Sequence, residues 1–115
     1  MRLLIVDDDP SFRNAALGLL AARGYQVVGE AGCGAEGLAL ASELRPDAVL
    51  LDVNLPDADG LTVAASLTAA AGPRVLLVSS DSAAAPERLI RSCGVVGFVA
   101  KEELGDAALD AYLTG

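Results

Sequence analysis

The sequence predicts an α/β fold built on a parallel sheet, and three observations carry that expectation. Short apolar runs alternate five times with Ala/Leu-rich stretches of helical spacing, the pattern of repeated βα units. The runs are apolar at every position rather than at alternate ones, as strands buried on both sheet faces require. Four of the five runs also end abruptly in polar residues, so side chains capable of chemistry recur at one end of the strands.

Each element has a local reason. Leu3–Val6 is the first strand. Pro10 marks a helix start, because proline's missing N–H is harmless in a first turn. Leu17, Leu20 and Ala21 share a face of that helix, and Gly24 closes it. Gln26–Ala31 is a second, weaker strand. In Ala35–Leu44, Leu40, Ala41 and Leu44 fall on one face at helical spacing, and Pro46 stops the helix. Ala48–Leu51 is the third strand, followed by the turn-rich Asn54-Leu55-Pro56-Asp57-Ala58-Asp59-Gly60 and a helix over Leu61–Ala71. Val75–Val78, a helix near Pro86–Cys93, Val95–Ala100 and a last helix over Leu104–Leu113 complete the series. No repeat, low-complexity tract or linker interrupts it, and residues 1–115 are expected to form a single domain.

Composition removes several functions. The chain carries 16 acidic and 8 basic residues, a formal charge of −8, and so offers no cationic footprint for nucleic acid or an anionic membrane. Any effect on transcription must pass through something outside it. The absence of histidine excludes His-based general base catalysis, His metal ligands and a Ser-His-Asp triad. Cys33 and Cys93 form no C-x-x-C pair and read as buried apolar thiols in a reducing compartment. No run approaches the ~20 apolar residues that span a bilayer, and no signal-type segment opens the chain. The expectation is a soluble, cytoplasmic protein.

The polar strand ends carry the functional information. Leu-Leu-Ile-Val runs into Asp7-Asp8-Asp9, Ala-Val-Leu-Leu into Asp52, Val-Leu-Leu-Val into Ser79-Ser80-Asp81, and Gly-Phe-Val-Ala into Lys101. In a doubly wound, flavodoxin-like sheet of order 2-1-3-4-5, strands 1 and 3 flank the switch point where ligands bind. Asp7, Asp8 and Asp52 then lie at that point, with Ser79 and Lys101 beside them. Two unit charges about 4 Å apart repel by roughly 4 kcal/mol at an effective dielectric of ~20, and one lysine is too little to answer three carboxylates. A hard divalent cation is the natural answer. Asp52, from a central strand, is placed as nucleophile, Asp7 and Asp8 as cation ligands, Lys101 as a charge for phosphoryl oxygens and Ser79 as a hydroxyl donor. Lys101 is the chain's only lysine against seven arginines. Asp9 reads instead as a helix cap, as does Ser11.

On these residues the chain resembles the receiver domains of two-component response regulators, closest to those attached to LuxR-type output domains. The resemblance rests on Leu-Ile-Val-Asp7-Asp8, Pro46-Asp-Ala-Val-Leu-Leu-Asp52, Leu55-Pro56 with Asp59-Gly60, Val-Ser79-Ser80, and Gly97-Phe98-Val99-Ala100-Lys101. It implies that Asp52 accepts a phosphoryl group from a histidine kinase, a phosphotransfer protein or a small phosphodonor. It implies Mg2+ (or Mn2+) held by Asp8 directly, Asp7 largely through water, Asp52 and the Asn54 backbone carbonyl. Ser79 and Phe98 would form the conformational switch, and Asn54 and Asp81 would tune self-dephosphorylation. Such a domain catalyses only its own phosphorylation and dephosphorylation, signals to a fused or separate output domain, and can form homodimers. Three departures stand out: Glu102 replaces the usual proline after the lysine and its cis bond, Val95 replaces a commoner alanine, and Phe98 lacks a tyrosine hydroxyl.

Two other readings compete. Gly32-Cys33-Gly34-Ala35-Glu36-Gly37 is a literal dinucleotide fingerprint, but it follows the weakest strand and leaves Asp7, Asp8, Ser79 and Lys101 unexplained. An aspartyl phosphatase of the haloacid dehalogenase type would also use strand-end carboxylates and a lysine. The chain lacks the Thr or Val that follows such a nucleophile pair and has no room for a cap. A pseudo-receiver that works without phosphorylation conflicts with the intact acidic cluster.

Overall fold

The five apolar runs pair in parallel as one sheet: β1 Arg2–Val6, β2 Gln26–Ala31, β3 Ala48–Asp52, β4 Arg74–Ser79 and β5 Gly97–Ala100, in the order β2-β1-β3-β4-β5. The computed structural model describes residues 1–57, 59–69, 72–80, 94–106 and 109–113. Its helices are α1 Pro10–Ala22, α2 Gly34–Leu44 and α3 Gly60–Thr68, with a 3-10 helix at Lys101–Asp106 and a helical turn at Leu109–Leu113.

Strict alternation of side chains sorts the core into two layers. Leu3, Ile5, Leu50, Leu76, Val78 and Val99 face α1 and the last turn, meeting Ala16, Leu20, Leu109 and Leu113. Leu4, Val6, Val49, Leu51, Val75 and Leu77 face the other way, onto Ala41 of α2 and Val63, Ala64 and Leu67 of α3. Both faces are covered, which is why the strands need no polar positions. Register fixes the carboxyl edge. Val6 pairs with Leu51 and Asp52 with Val78, while Ser79 pairs with Ala100, so Asp7, Asp52, Ser79 and Lys101 leave the sheet side by side.

Capping follows the sequence closely. Asp9 accepts a hydrogen bond from Ser11 N at 3.0 Å, with Pro10 at the start of α1. Gly24 takes a positive φ of 88° just past the α1 C-cap. Arg45 ends α2 in the left-handed region at φ 49°, immediately before Pro46.

Several boundaries differ from expectation. β5 begins at Gly97, not Val95, because the ladder with β4 starts at the Leu76–Gly97 pair and Gly94 turns at φ 74°. The expected last helix is divided into the 3-10 segment and the turn at Leu109–Leu113, with Gly105, a weak helix former, inside the first. α3 ends at Thr68. Cys33 is half-buried rather than buried. The helix expected near Pro86–Cys93 and Asp81 lie outside the described residues. The Lys101–Glu102 peptide bond is trans.

Gly60 and Gly18 show opposite demands. A Cβ on Gly60 would lie 2.5 Å from both the Asp52 carbonyl oxygen and Val53 Cα, backbone atoms that cannot yield, so α3 starts against the end of β3 only because this residue has no side chain. A Cβ on Gly18, exposed within α1, would meet nothing within 4 Å. Gly60→Ala is expected to destabilise the protein by about 1–3 kcal/mol or more, and Gly18→Ala to stabilise it by roughly 0.5–1 kcal/mol. Urea unfolding checks both; a Gly60→Ala variant as stable as wild type would refute the close approach.

Candidate functional site

Three carboxylates converge where β1 and β3 end. Oxygens of Asp7, Asp8 and Asp52 all lie within 4.8 Å of one another. Asp7 and Asp52 are buried and Asp8 is exposed, so the cluster has a wet side and a dry side. Asp7 is held by its Oδ1, which accepts from Asp9 N at 2.8 Å, and by its own N–H, which donates to the Ala31 carbonyl at 2.9 Å. Asp52 Oδ1 accepts from Asn54 N at 3.1 Å. Lys101, entering from the end of β5, places Nζ 2.7 Å from Asp7 Oδ2 and 3.6 Å from Asp52 Oδ2.

One ammonium does not balance this charge. Burial pushes the Asp52 carboxyl pKa up, and the neighbouring Asp7 and Asp8 charges push it further; the Asn54 N–H and the Lys101 ammonium pull it down without cancelling the rise. Burial works to lower the Lys101 pKa, but the contacts with Asp7 and Asp52 outweigh it and leave the value above its ordinary one. Asp7 Oδ2 is fully buried and, apart from the ion pair with Lys101, has no hydrogen-bond donor aligned on it among the described residues. An all-oxygen donor set with residual negative charge and an underused buried oxygen fits a hard divalent cation, with Asp7, Asp8 and Asp52 as candidate ligands.

The remaining expected residues are placed unevenly. Ser79 is fully buried at the end of β4, on the same edge. Phe98 packs partly buried against the α2/α3 layer. Asn54 opens the loop after β3 and forms an isolated bridge with Asp59. Asp81 lies outside the described residues.

Three contributors were not legible as site residues. Phe12 of α1 lies under the Lys101 ammonium, 4.5 Å from ring centroid to Nζ, where a cation–π contact helps hold it inward. Arg13 Nη1 donates to the Asp7 carbonyl at 2.6 Å, while its Nε lies 3.4 Å from Glu30. Asp57 accepts hydrogen bonds from Gly34 N and Ala35 N, at 2.7 and 3.0 Å. Their only sequence signal is proximity to the Asp7-Asp8 and Asp52 motifs. The Asp57 contacts also dispose of the dinucleotide reading: a carboxylate already sits on the helix N-terminus where a pyrophosphate would bind.

Comparison with known proteins agrees with this arrangement. The family model described as "Response regulator receiver domain" matches residues 3–113. Over 103 residues the chain is 38% identical to the virulence factors putative positive transcription regulator BvgA of Bordetella pertussis, covering 89% of this chain and 49% of that protein. The chain thus spans about half the length of that curated relative. Among solved structures, the signal receiver domain of the putative response regulator NarL from Mycobacterium tuberculosis superposes with a TM-score of 0.80 at 35% identity, covering 96% of this chain and 94% of that one. A LuxR-family two-component response regulator from Aurantimonas sp. gives a TM-score of 0.89 at 29% identity, covering 99% and 85%. With nearly the whole chain matched and the acidic edge intact, this protein belongs to the response regulator receiver domain family.

Proposed function

We propose that residues 1–115 form one receiver unit that takes a phosphoryl group on Asp52 and relays it as a conformational signal. The observation that supports this best is a buried carboxylate, Asp52, lying 3.6 Å from a lysine ammonium and clustered with two further carboxylates at the sheet's carboxyl edge. An Asp52 oxygen attacks phosphorus and forms the acyl phosphate. The P–N bond of a phosphohistidine donor, or the P–O bond of a small acyl phosphate, breaks as the donor leaves with the electron pair. Lys101 stays beside the incoming oxygens and neutralises their charge, and the Ser79 hydroxyl donates to one of them. Asp7, Asp8, Asp52 and the Asn54 backbone carbonyl would hold Mg2+ (or Mn2+), which would supply further charge neutralisation there.

Movement of Ser79 towards the phosphoryl group is transmitted to Phe98, which packs against the α2/α3 layer. Asn54 and Asp81, flanking the site in sequence, set the lifetime of the acyl phosphate. The partners are a histidine kinase or phosphotransfer protein and an output domain, fused or separate, which in the BvgA-like case controls transcription; homodimerisation is a further route for the signal. The chemistry is confined to the domain's own phosphorylation and dephosphorylation in the cytoplasm. No helix among the described residues is long and apolar enough to cross a membrane.

Incubation with acetyl phosphate and Mg2+ is expected to add one phosphoryl group, seen by intact-mass measurement, and Asp52→Asn to abolish the addition. A mutant labelled as well as wild type rules out Asp52. Millimolar Mg2+ is expected to raise the thermal midpoint, since it binds only the folded cluster, and Asp8→Asn to remove most of that increment; a midpoint indifferent to Mg2+ counts against the cation.

The raised pKa of Asp52 sets a pH dependence. The folded protein holds this proton to higher pH than the unfolded chain, so its contribution to stability is greatest below the ordinary carboxylate pKa. That contribution declines as pH rises through the raised value. Without divalent cation at neutral pH, Asp52→Asn is therefore expected to melt above wild type, with the gap narrowing towards acid. A lower-melting Asp52→Asn contradicts the burial argument.

A further inference from the structure

Helix α2 has no cap of its own. Cys33 stands at its N-cap in the extended conformation (φ −153°, ψ 169°) but makes no capping hydrogen bond with its side chain, although the first N–H groups of a helix require acceptors. Acceptors come from a different loop. Asp57 Oδ1 takes Gly34 N at 2.7 Å and Oδ2 takes Ala35 N at 3.0 Å, across 23 and 22 residues of sequence. Both oxygens are used on adjacent donors, and the positive end of α2 favours the charge they carry. These two bonds are the main reason that the Asp57 pKa lies below its ordinary value, although the residue is exposed.

The loop that Asp57 belongs to is the one that leaves Asp52. Its base is fastened to the sheet and to α3: Val53 N donates to the Val78 carbonyl at 3.0 Å, Gly60 N to the Val53 carbonyl at 2.9 Å, and Asn54 bridges to Asp59. Its tip is different. Pro56 has no N–H to give, and Leu55 makes only a partly buried apolar contact. Among the described hydrogen bonds, those of Asp57 alone tie the tip to another element, and that element packs on the opposite side of the switch point.

We infer that Asp57 is a positioning residue for the acidic cluster: by clamping the loop after β3 to the N-terminus of α2, it fixes the path of the chain beyond Asp52, one of the three clustered carboxylates, and so sets cation affinity. This rests on the reading that the cluster takes a divalent cation and a phosphoryl group.

The test separates a loop clamp from a helix cap. Calorimetric Mg2+ titration, thermal melts without cation, and the rate of labelling by acetyl phosphate are measured on wild type, Asp57→Ala, Asp57→Asn and the double variant Cys33→Ser/Asp57→Ala. Serine at position 33, already extended, supplies α2 with a local cap but no tie to the loop. The Mg2+ dissociation constant is expected to rise about tenfold in Asp57→Ala, the scale seen when a residue supporting a metal ligand is lost, and less in Asp57→Asn, which keeps one acceptor. The double variant is expected to regain the cation-free midpoint while keeping the weakened Mg2+ binding and slower labelling. A dissociation constant within twofold of wild type in Asp57→Ala, or Mg2+ affinity restored along with stability in the double variant, overturns the inference. Wild type that neither binds Mg2+ nor takes a phosphoryl group sinks the underlying function instead, before any variant is compared.

Discussion

A parallel sheet points every strand's carboxyl end the same way, and in this chain that constraint forces like charges together. β1 and β3 are neighbours, and in register they deliver Asp7 and Asp52 to adjacent positions, with Asp8 one residue further out. Hydrophobic burial on both faces of the sheet fixes that arrangement, because sliding a strand by one residue would move every side chain to the opposite layer and draw a terminal carboxylate into the apolar sheet. The carboxylates therefore cannot relax apart. Their repulsion is maintained by the core, answered in part by Lys101, and left with a remainder that a cation can neutralise.

The surroundings of the cluster are built to keep it open and rigid together. Gly60 lets α3 start against the backbone of Asp52 and Val53. Phe12 and Arg13, both on α1, hold Lys101 and the Asp7 carbonyl from one side, while Asp57 ties the loop to α2 from the other. Elsewhere the fold is closed by plainer means. Tyr25, at the start of β2, hydrogen-bonds Asp110 in the last helical turn, and Arg23 reaches the Gly105 carbonyl. Burial and the Asp110 carboxylate push the Tyr25 phenol up to about 12, so that tie persists throughout the neutral range. Polar strain is concentrated at the sheet edge, where local rules are most often broken for function.

The fold was legible because its signals are local and repeated. The apolar runs, Pro10, Gly24 and Pro46 mark most boundaries to within a residue or two, and Asp9 caps as its position implies. The five strand-end residues were legible because register follows from burial: Asp7, Asp8, Asp52, Ser79 and Lys101 needed only the strand order to become neighbours. Long-range contacts were not legible. Nothing in Asp57 distinguishes a clamp on α2 from an ordinary turn residue, since its partners lie more than twenty positions away and are backbone groups without a sequence signature. The same holds for Phe12, whose ring reads as core until Lys101 is seen over it. Val95 and Val96 are apolar and so read as part of β5, although Gly94 turns the chain and the ladder begins only at Gly97.

Strand ends deliver Asp7, Asp8, Asp52 and Lys101 to one shared edge, which we propose as the site of a divalent cation. Paramagnetic broadening by substoichiometric Mn2+ in a two-dimensional amide NMR spectrum tests it most directly. The amides of Asp8, Asp9, Val53, Asn54 and Lys101 are expected to broaden first, while those at the opposite end of the strands, such as Leu3 and Val75, stay sharp. Broadening spread evenly over the acidic surface, or centred away from Asp52, would contradict it.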